Sequence, residues 1–183
     1  MFRENVTWIS GASSGIGEAM ACALAREGAI PVLSARREAE LERVRDRCLE
    51  LGAPKALVLP LDVTDTDAMA PAVAAVRERF GRIDTLINNA GISQRSLCVD
   101  TDMAVYRQLF EVDVIGQIAL TKAVLPAMLA QGSGHIAVMA SVAGKVGAPY
   151  RTGYCAAKHA MMGFFDALRA EVAKKGIRVT TIT

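Results

Sequence analysis

The stretch VTWISGASSGIG, residues 6–17, joins a short apolar run to a glycine-rich turn and then to the start of a helical pattern. Valine, isoleucine and tryptophan in its first residues are typical of a buried strand. Glycine permits a tight turn, and the lack of a side chain lets the backbone and a helix N-terminus approach a pyrophosphate closely. Strand, turn and helix in this order predict the first unit of a dinucleotide-binding fold.

The glycines of this turn follow the spacing GxxxGxG, whereas the commonest dinucleotide fingerprint is GxGxxG. A glycine-rich turn alone is weak support for a nucleotide site, because ordinary turns use glycine routinely. Its place between a strand and a helix, within a repeating pattern, favours nucleotide binding over an ordinary turn.

Short apolar runs alternate with longer helical patterns along the rest of the chain. This alternation predicts right-handed crossovers and a parallel sheet covered on both faces. We therefore expect an α/β fold, a three-layer, Rossmann-like doubly wound parallel sheet with strand order 3-2-1-4-5-6. The predicted strands are Val6–Ser10, Ile30–Ala35, Ala56–Leu61, Thr85–Asn88, His135–Ser141 and Ile177–Ile182. The predicted helices are Gly15–Gly28, Glu38–Gly52, Asp65–Phe80, a broken pair over Met103–Gln131, and Thr152–Lys175.

Length and composition limit the class of protein. The 183 residues, of which 52% are hydrophobic, suit a single compact domain over residues 1–183. A net charge of +2 argues against a dedicated nucleic-acid binder. No leader precedes the first predicted strand, and no uninterrupted apolar run is long enough to span a bilayer. We expect a cytoplasmic protein without a membrane span.

Metal binding and disulfide bonding find little support in the sequence. The four cysteines are widely spaced and form no CxxC pair, and the two histidines have no ligand-like spacing with them. This pattern is typical of reduced thiols in a cytosolic protein. We predict neither a metal site nor a disulfide framework.

The end of the second predicted strand bears on the choice of nucleotide. An acidic residue there would hydrogen-bond a ribose 2′-hydroxyl, whereas an arginine would accommodate a 2′-phosphate. The chain has Arg36 and Arg37 at this point, with no carboxylate before Glu38. A planar, permanently charged guanidinium suits phosphate, so NADP is favoured over NAD. The alternative is a pair of solvated charges at a strand end.

A second informative segment is YCAAK, which places Tyr154 four residues before Lys158 and thirteen residues after Ser141. If the segment is helical, both side chains lie on one face, about 6 Å apart along the axis. An ammonium beside a phenol favours the phenolate, and a phenol in that setting can exchange a proton with an alcohol or a carbonyl. YxxxK alone also fits a surface helix that carries an unrelated tyrosine and lysine.

Five motifs follow one another along the chain: the glycine turn, Arg36, Asp62-Val63, Asn88-Asn-Ala-Gly91, and the set Ser141, Tyr154 and Lys158. In this order and at these intervals, they resemble the short-chain dehydrogenase/reductase family of the ordinary NAD(P)-dependent type. The resemblance covers essentially the whole chain. It implies an NADP-dependent oxidoreductase that transfers a hydride between NADP(H) and a carbonyl or secondary alcohol, acting on a small-molecule substrate.

The resemblance also implies roles for individual residues. Tyr154 would be the general acid/base, Lys158 would hydrogen-bond the nicotinamide ribose, and Ser141 would orient the substrate oxygen and stabilise charge developing on it. The implied cofactor contacts are Gly11, Ser13, Ser14, Ile16 and Gly17 for phosphates and ribose, Asp62 and Val63 for adenine, Asn89, Ala90 and Gly91 for the adenosine ribose, and Tyr154 and Lys158 at the nicotinamide end. In the family, the two long helices over Met103–Gln131 and Thr152–Lys175 commonly form a dimer interface, so we expect a homodimer.

The chain departs from the family pattern at two places. Family members usually have an asparagine, which helps to hold a water bridging to the lysine, where this chain has Asp113. An ionised Asp113 would favour a protonated Lys158, and we count it among the candidate catalytic residues. The chain also ends at Thr183, whereas family members continue into a substrate-covering segment and a seventh strand. We therefore expect a domain with that loop and strand absent, which leaves a truncated nucleotide-binding module without turnover as the alternative function.

Overall fold

A parallel sheet of six strands lies at the centre of the computed structural model, which describes residues 2–183. Its order is 3-2-1-4-5-6, so the predicted doubly wound α/β fold is confirmed. The strands are β1 (Val6–Ser10), β2 (Ile30–Ser34), β3 (Leu57–Val58), β4 (Thr85–Asn88), β5 (Gly134–Met139) and β6 (Ile177–Ile182). The helices are α1 (Gly15–Arg26), α2 (Glu38–Glu50), α3 (Met69–Phe80), α4 (Met103–Phe110), α5 (Gly116–Gln131) and α6 (Thr152–Val172).

The third strand is shorter than predicted. Only Leu57 and Val58 pair with β2 in regular register, whereas the apolar run predicts a strand over Ala56–Leu61. Pairing with the end of β2 nevertheless continues, because the Leu59 amide donates to the Leu33 carbonyl at 2.9 Å. Pro60 has no backbone N–H to donate. Because β3 lies at the edge of the sheet, no neighbouring strand on its outer side requires that donor.

Helix α3 begins at Met69, four residues after its predicted start at Asp65. The intervening residues form a turn in which Asp65 Oδ1 accepts a hydrogen bond from the Ala68 amide at 3.2 Å. Aspartate favours such side-chain-capped turns, which compete with the helical ladder. The other boundaries differ from the predictions by three residues at most.

The predicted break within Met103–Gln131 is a π-helical turn over Glu111–Ile115 that joins α4 to α5 without ending the helix. Turns of this kind insert a residue into the helix and occur often at functional sites. The inserted turn contains Asp113, which is completely buried. The sequence pattern records the irregularity but not that the helix continues through it.

By length and composition, the helix Met103–Gln131 is apolar enough to cross a membrane. Half of its most apolar window is buried inside this fold, where Leu120, Val124 and Met128 belong to the core. Packing against the sheet therefore accounts for the buried part of its apolar surface. The absence of a membrane span stays a prediction.

Each face of the sheet supports its own hydrophobic core. Neighbouring residues of β1 point to opposite faces, so Trp8 packs into one core and Ile9 into the other. The Trp8 indole nitrogen donates to Ser34 Oγ at 2.8 Å, which satisfies its only polar group inside the core. The carboxyl ends of β1 and β4 lie side by side at the point where the strand order reverses. This reversal point is where open α/β sheets place their ligand crevice.

Candidate active site

A cleft of about 760 Å³ opens at the carboxyl ends of β1, β2 and β4. Its volume lies in the range of ligand-binding pockets. Most of the cofactor contacts implied by the sequence line it, namely Gly11, Ser13, Ser14, Ile16, Arg36, Asp62, Val63, Asn89, Ala90 and Gly91. Gly17, Tyr154 and Lys158 are not among the lining residues.

The glycines of the turn have different tasks. Gly11 and Gly15 have φ angles of +68° and +59°, in the region that favours glycine. A Cβ on Gly17 would lie 2.2 Å from the Gly11 carbonyl oxygen, so this glycine permits α1 to pack on the turn. A Cβ on Gly15 would meet no atom within 4 Å. The open space over Gly15, at a helix N-terminus with unpaired amides, fits the pyrophosphate of a dinucleotide.

Two polar residues tie the turn after β1 to the loop after β4. Ser10 Oγ accepts hydrogen bonds from the amides of Asn89 at 3.0 Å and Ala90 at 3.1 Å. The Asn89 side-chain nitrogen donates to the carbonyls of Ser10 at 3.0 Å and Gly11 at 3.2 Å. These hydrogen bonds fix the distance between the turn after β1 and the loop after β4, which form two walls of the cleft.

The two arginines after β2 are placed differently. Arg36 lines the cleft close to Asp62. Hydrogen bonds from the amide and hydroxyl of Thr64 hold the pKa of Asp62 below its usual range, and the charge of Arg36 acts in the same direction. Arg37 Nη2 donates to Ser13 Oγ at 3.2 Å and to Ser14 Oγ at 3.1 Å. The sequence motifs included only Arg36 as a candidate cofactor contact, although Arg37 is the next residue in the chain.

Ser141, Tyr154 and Lys158 come from the end of β5 and the first turns of α6. Ser141 caps the short 3₁₀ turn Val142–Gly144, because its Oγ accepts from the Ala143 amide at 3.1 Å. Tyr154 and Lys158 lie one helical turn apart, with Lys158 Nζ 5.6 Å from the centre of the tyrosine ring. The one-face arrangement expected from their spacing is therefore present.

Lys158 forms a buried ion pair with Asp113. Nζ lies 3.2 Å from Asp113 Oδ2 and donates to the Met139 carbonyl at 3.2 Å. Asp113 Oδ1 accepts from the Ile92 amide at 2.7 Å. Burial raises the pKa of the Asp113 carboxyl above its usual range, an effect that the Lys158 charge and the Ile92 amide partly offset. The pair connects α6 to the loop that lines the cleft.

A further residue beside Tyr154 was missed by sequence reasoning. Arg151 Cζ lies 5.8 Å from the centre of the Tyr154 ring, and Arg151 Nη1 donates to Ser93 Oγ. Its position three residues before Tyr154, directly before the predicted helix Thr152–Lys175, was the available signal. The partner Ser93 carried no signal, because it is distant in the sequence.

A model of the short chain dehydrogenase family matches residues 5–183. The chain belongs to this family. It is 52% identical, over 98% of its own length, to a human protein named dehydrogenase/reductase SDR family member 7, of which it covers 54%. The chain thus spans about half the length of the curated relatives it matches.

Solved structures of family members have the same fold. The NAD⁺-bound xylitol dehydrogenase is 31% identical, with a TM-score of 0.95 over all of this chain and 70% of that one. A metagenomic short-chain oxidoreductase in complex with NADP is also 31% identical, with a TM-score of 0.93 over 98% of this chain and 81% of that one. The family membership predicted from the motifs is confirmed.

The Asp113→Asn substitution should change how stability depends on pH in this member of the family. A raised pKa means that the folded protein binds the proton more tightly than the unfolded chain. The resulting stabilisation is full below the usual aspartate pKa of about 4 and is lost as pH rises through the raised value. The free energy of unfolding of the wild type, minus that of Asp113→Asn, should therefore fall over this window, by about 1.4 kcal/mol per unit of pKa difference.

Denaturant unfolding measured at a series of pH values tests this expectation. Asp166→Asn is a suitable control, because Asp166 pairs with Arg169 on the surface of the same protein and is 55% exposed. A difference between wild type and Asp113→Asn that stays constant across the pH series would contradict the assignment of a buried, perturbed carboxyl.

Proposed function

We propose that this chain forms the catalytic part of an NADP-dependent oxidoreductase that transfers a hydride between NADP(H) and a carbonyl or secondary alcohol. The observation that carries the proposal is the placement of Tyr154 against Lys158, whose ammonium is held by Asp113 beside a dinucleotide-sized cleft. A phenol next to a fixed ammonium is suited to proton transfer. Family membership supports the same reaction class.

The cleft supports a nicotinamide dinucleotide as the cofactor. The turn at Gly15 would hold the pyrophosphate, Asp62 would face the adenine, and the loop after β4 would contact the ribose. Asp62 Oδ1 accepts two bonds from Thr64, which leaves Oδ2 for the adenine amino group. Among related structures one contains NAD⁺ and another NADP, so Arg36, at the end of β2, is the feature that favours NADP.

The chemistry then divides between cofactor and protein. The bound nicotinamide would supply or accept the hydride. In the direction of reduction, Tyr154 would donate a proton to the substrate oxygen, and in the direction of oxidation it would take that proton back. Because Ser141 Oγ already accepts from the Ala143 amide, its own hydrogen is available to donate to the substrate oxygen. Lys158 would stay beside the phenol, held by Asp113 and the Met139 carbonyl.

A nucleotide-binding module without turnover is the second candidate. It is favoured by the cleft lining, which comprises cofactor contacts and does not include Ser141 or Tyr154. Titration of NADPH fluorescence, followed by addition of a panel of ketones, separates the candidates. Binding without oxidation would favour the module.

A homodimer through the helix Met103–Gln131 and α6 stays a proposal. Five large apolar side chains on the first of these helices are exposed in the single chain, namely Met103, Val105, Phe110, Ile115 and Leu129. Burial of such side chains is typical of helix-mediated homodimers. Sedimentation velocity should give the mass of two chains, and a monomer at micromolar concentration would contradict the proposal. A cytoplasmic location also remains a prediction.

Removing the phenol hydroxyl with Tyr154→Phe should abolish nearly all turnover, because the proton donor is lost. Binding of NADPH should persist, since Tyr154 does not line the cleft. Steady-state rates and fluorescence titration measure the two effects. Retention of more than about a tenth of the wild-type kcat, a loss of roughly 1.4 kcal/mol or less in transition-state stabilisation, would overturn the role of the phenol.

Replacing Arg36 by aspartate should shift the cofactor preference toward NAD. The carboxylate would repel a 2′-phosphate and accept a hydrogen bond from a 2′-hydroxyl. Arg37→Gln is the matched control, because Arg37 holds the serines of the turn and its loss should weaken both cofactors alike. The ratio of Kd values for NADPH and NADH is the measurement. An unchanged ratio in Arg36→Asp would refute the assignment.

A further inference from the structure

Arg151 occupies a position that helix stability does not explain. It immediately precedes α6, whose first turn contains no acidic residue. The N-terminus of a helix carries partial positive charge and disfavours a cation. Within residues 2–183, no carboxylate lies in ion-pair range of the Arg151 guanidinium, so its contacts are Ser93 and the Tyr154 ring. An arginine held at an unfavourable place by these two contacts points to a role at the site.

The backbone around Arg151 is also tightly defined. The preceding residue, Tyr150, has a φ of +64°, which is uncommon for a residue other than glycine. Its carbonyl accepts a hydrogen bond from the Ser96 amide at 3.0 Å. The loop after β4 is therefore joined to the start of α6 twice, once through Ser96 and Tyr150 and once through Ser93 and Arg151.

Two sets of contacts connect the surroundings of Tyr154 to the loop after β4. On one side, Lys158 contacts Asp113, which accepts from the Ile92 amide. On the other side, Arg151 binds Ser93, the residue directly after Ile92. The centre of the tyrosine ring is 5.6 Å from Lys158 Nζ and 5.8 Å from Arg151 Cζ. Ile92 itself lines the cofactor cleft.

We propose that Arg151 is a positioning residue for Tyr154, held in place by Ser93, so that the loop lining the cofactor cleft sets the placement of the proton-transferring phenol. The planar guanidinium contacts the ring while one of its N–H groups binds Ser93, a combination that lysine cannot reproduce. The inference rests on the proposed function, because it gives Arg151 a task only where Tyr154 transfers a proton.

The test compares Arg151→Gln, Arg151→Lys, Ser93→Ala and the double variant of Arg151→Gln with Ser93→Ala. Arg95→Gln is the matched control, since Arg95 is an exposed arginine of the same loop. In Arg151→Gln, kcat should fall on the order of tenfold, with the KM for NADPH and the Tm unchanged. Ser93→Ala should cause a similar loss, and Arg151→Lys should restore little. Because both residues act through one contact, the double variant should be no slower than Arg151→Gln.

A second measurement does not depend on turnover. The protein has three tyrosines, and ¹³C labelling at their Cζ gives a signal for Tyr154 that is assigned by its absence in Tyr154→Phe. Arg151→Gln and Ser93→Ala should both move this signal, whereas Arg95→Gln should not. If the wild-type protein catalyses no hydride transfer, the proposed function is refuted. The Tyr154 signal would still show whether Arg151 positions the Tyr154 ring.

Two outcomes would overturn the inference. One is an unchanged Tyr154 signal in Arg151→Gln. The other is losses of kcat in Arg151→Gln and Ser93→Ala that multiply in the double variant, since this would show that the two residues act independently.

Discussion

The buried contact between Lys158 and Asp113 is the interaction on which the geometry of the site depends. Taking two charges out of water is costly, and such pairs are often no more stable than apolar residues of similar size. Here the neighbouring backbone offsets part of the cost, through the Met139 carbonyl at the lysine and the Ile92 amide at the aspartate. We interpret the pair as retained for placing the ammonium beside Tyr154.

The π turn over Glu111–Ile115 makes that contact geometrically possible. It carries Asp113 inward against Gly91, where even a Cβ would lie 3.2 Å from Asp113 Oδ2. Glycine at this position therefore lets the cofactor loop and the aspartate approach each other. The same loop is bound to the turn after β1 through Asn89 and Ser10. The cleft and the surroundings of Tyr154 consequently share one segment, residues 89–93.

Sequence patterns predicted the strand order and nearly all elements, because each depends on apolar periodicity and on turns encoded by neighbouring residues. The errors have local physical causes. Asp65 forms a capped turn instead of starting α3, and β3 is an edge strand with little regular pairing. The irregular segment before Gly116 continues as a helix, since a π turn changes the hydrogen-bond register without changing the composition.

The sequence by itself determined the family, the cofactor turn and the spacing of Tyr154 and Lys158, since each is a local pattern within one strand, turn or helix. Only the tertiary structure decided what surrounds the phenol. Ser93 and Arg151 are 58 residues apart in the chain, and Asp113 reaches Lys158 from a different helix. Helical and strand periodicities describe neighbours a few residues apart. Contacts between distant segments follow from the packing of the sheet and its helices, which brings the loop after β4 against α6.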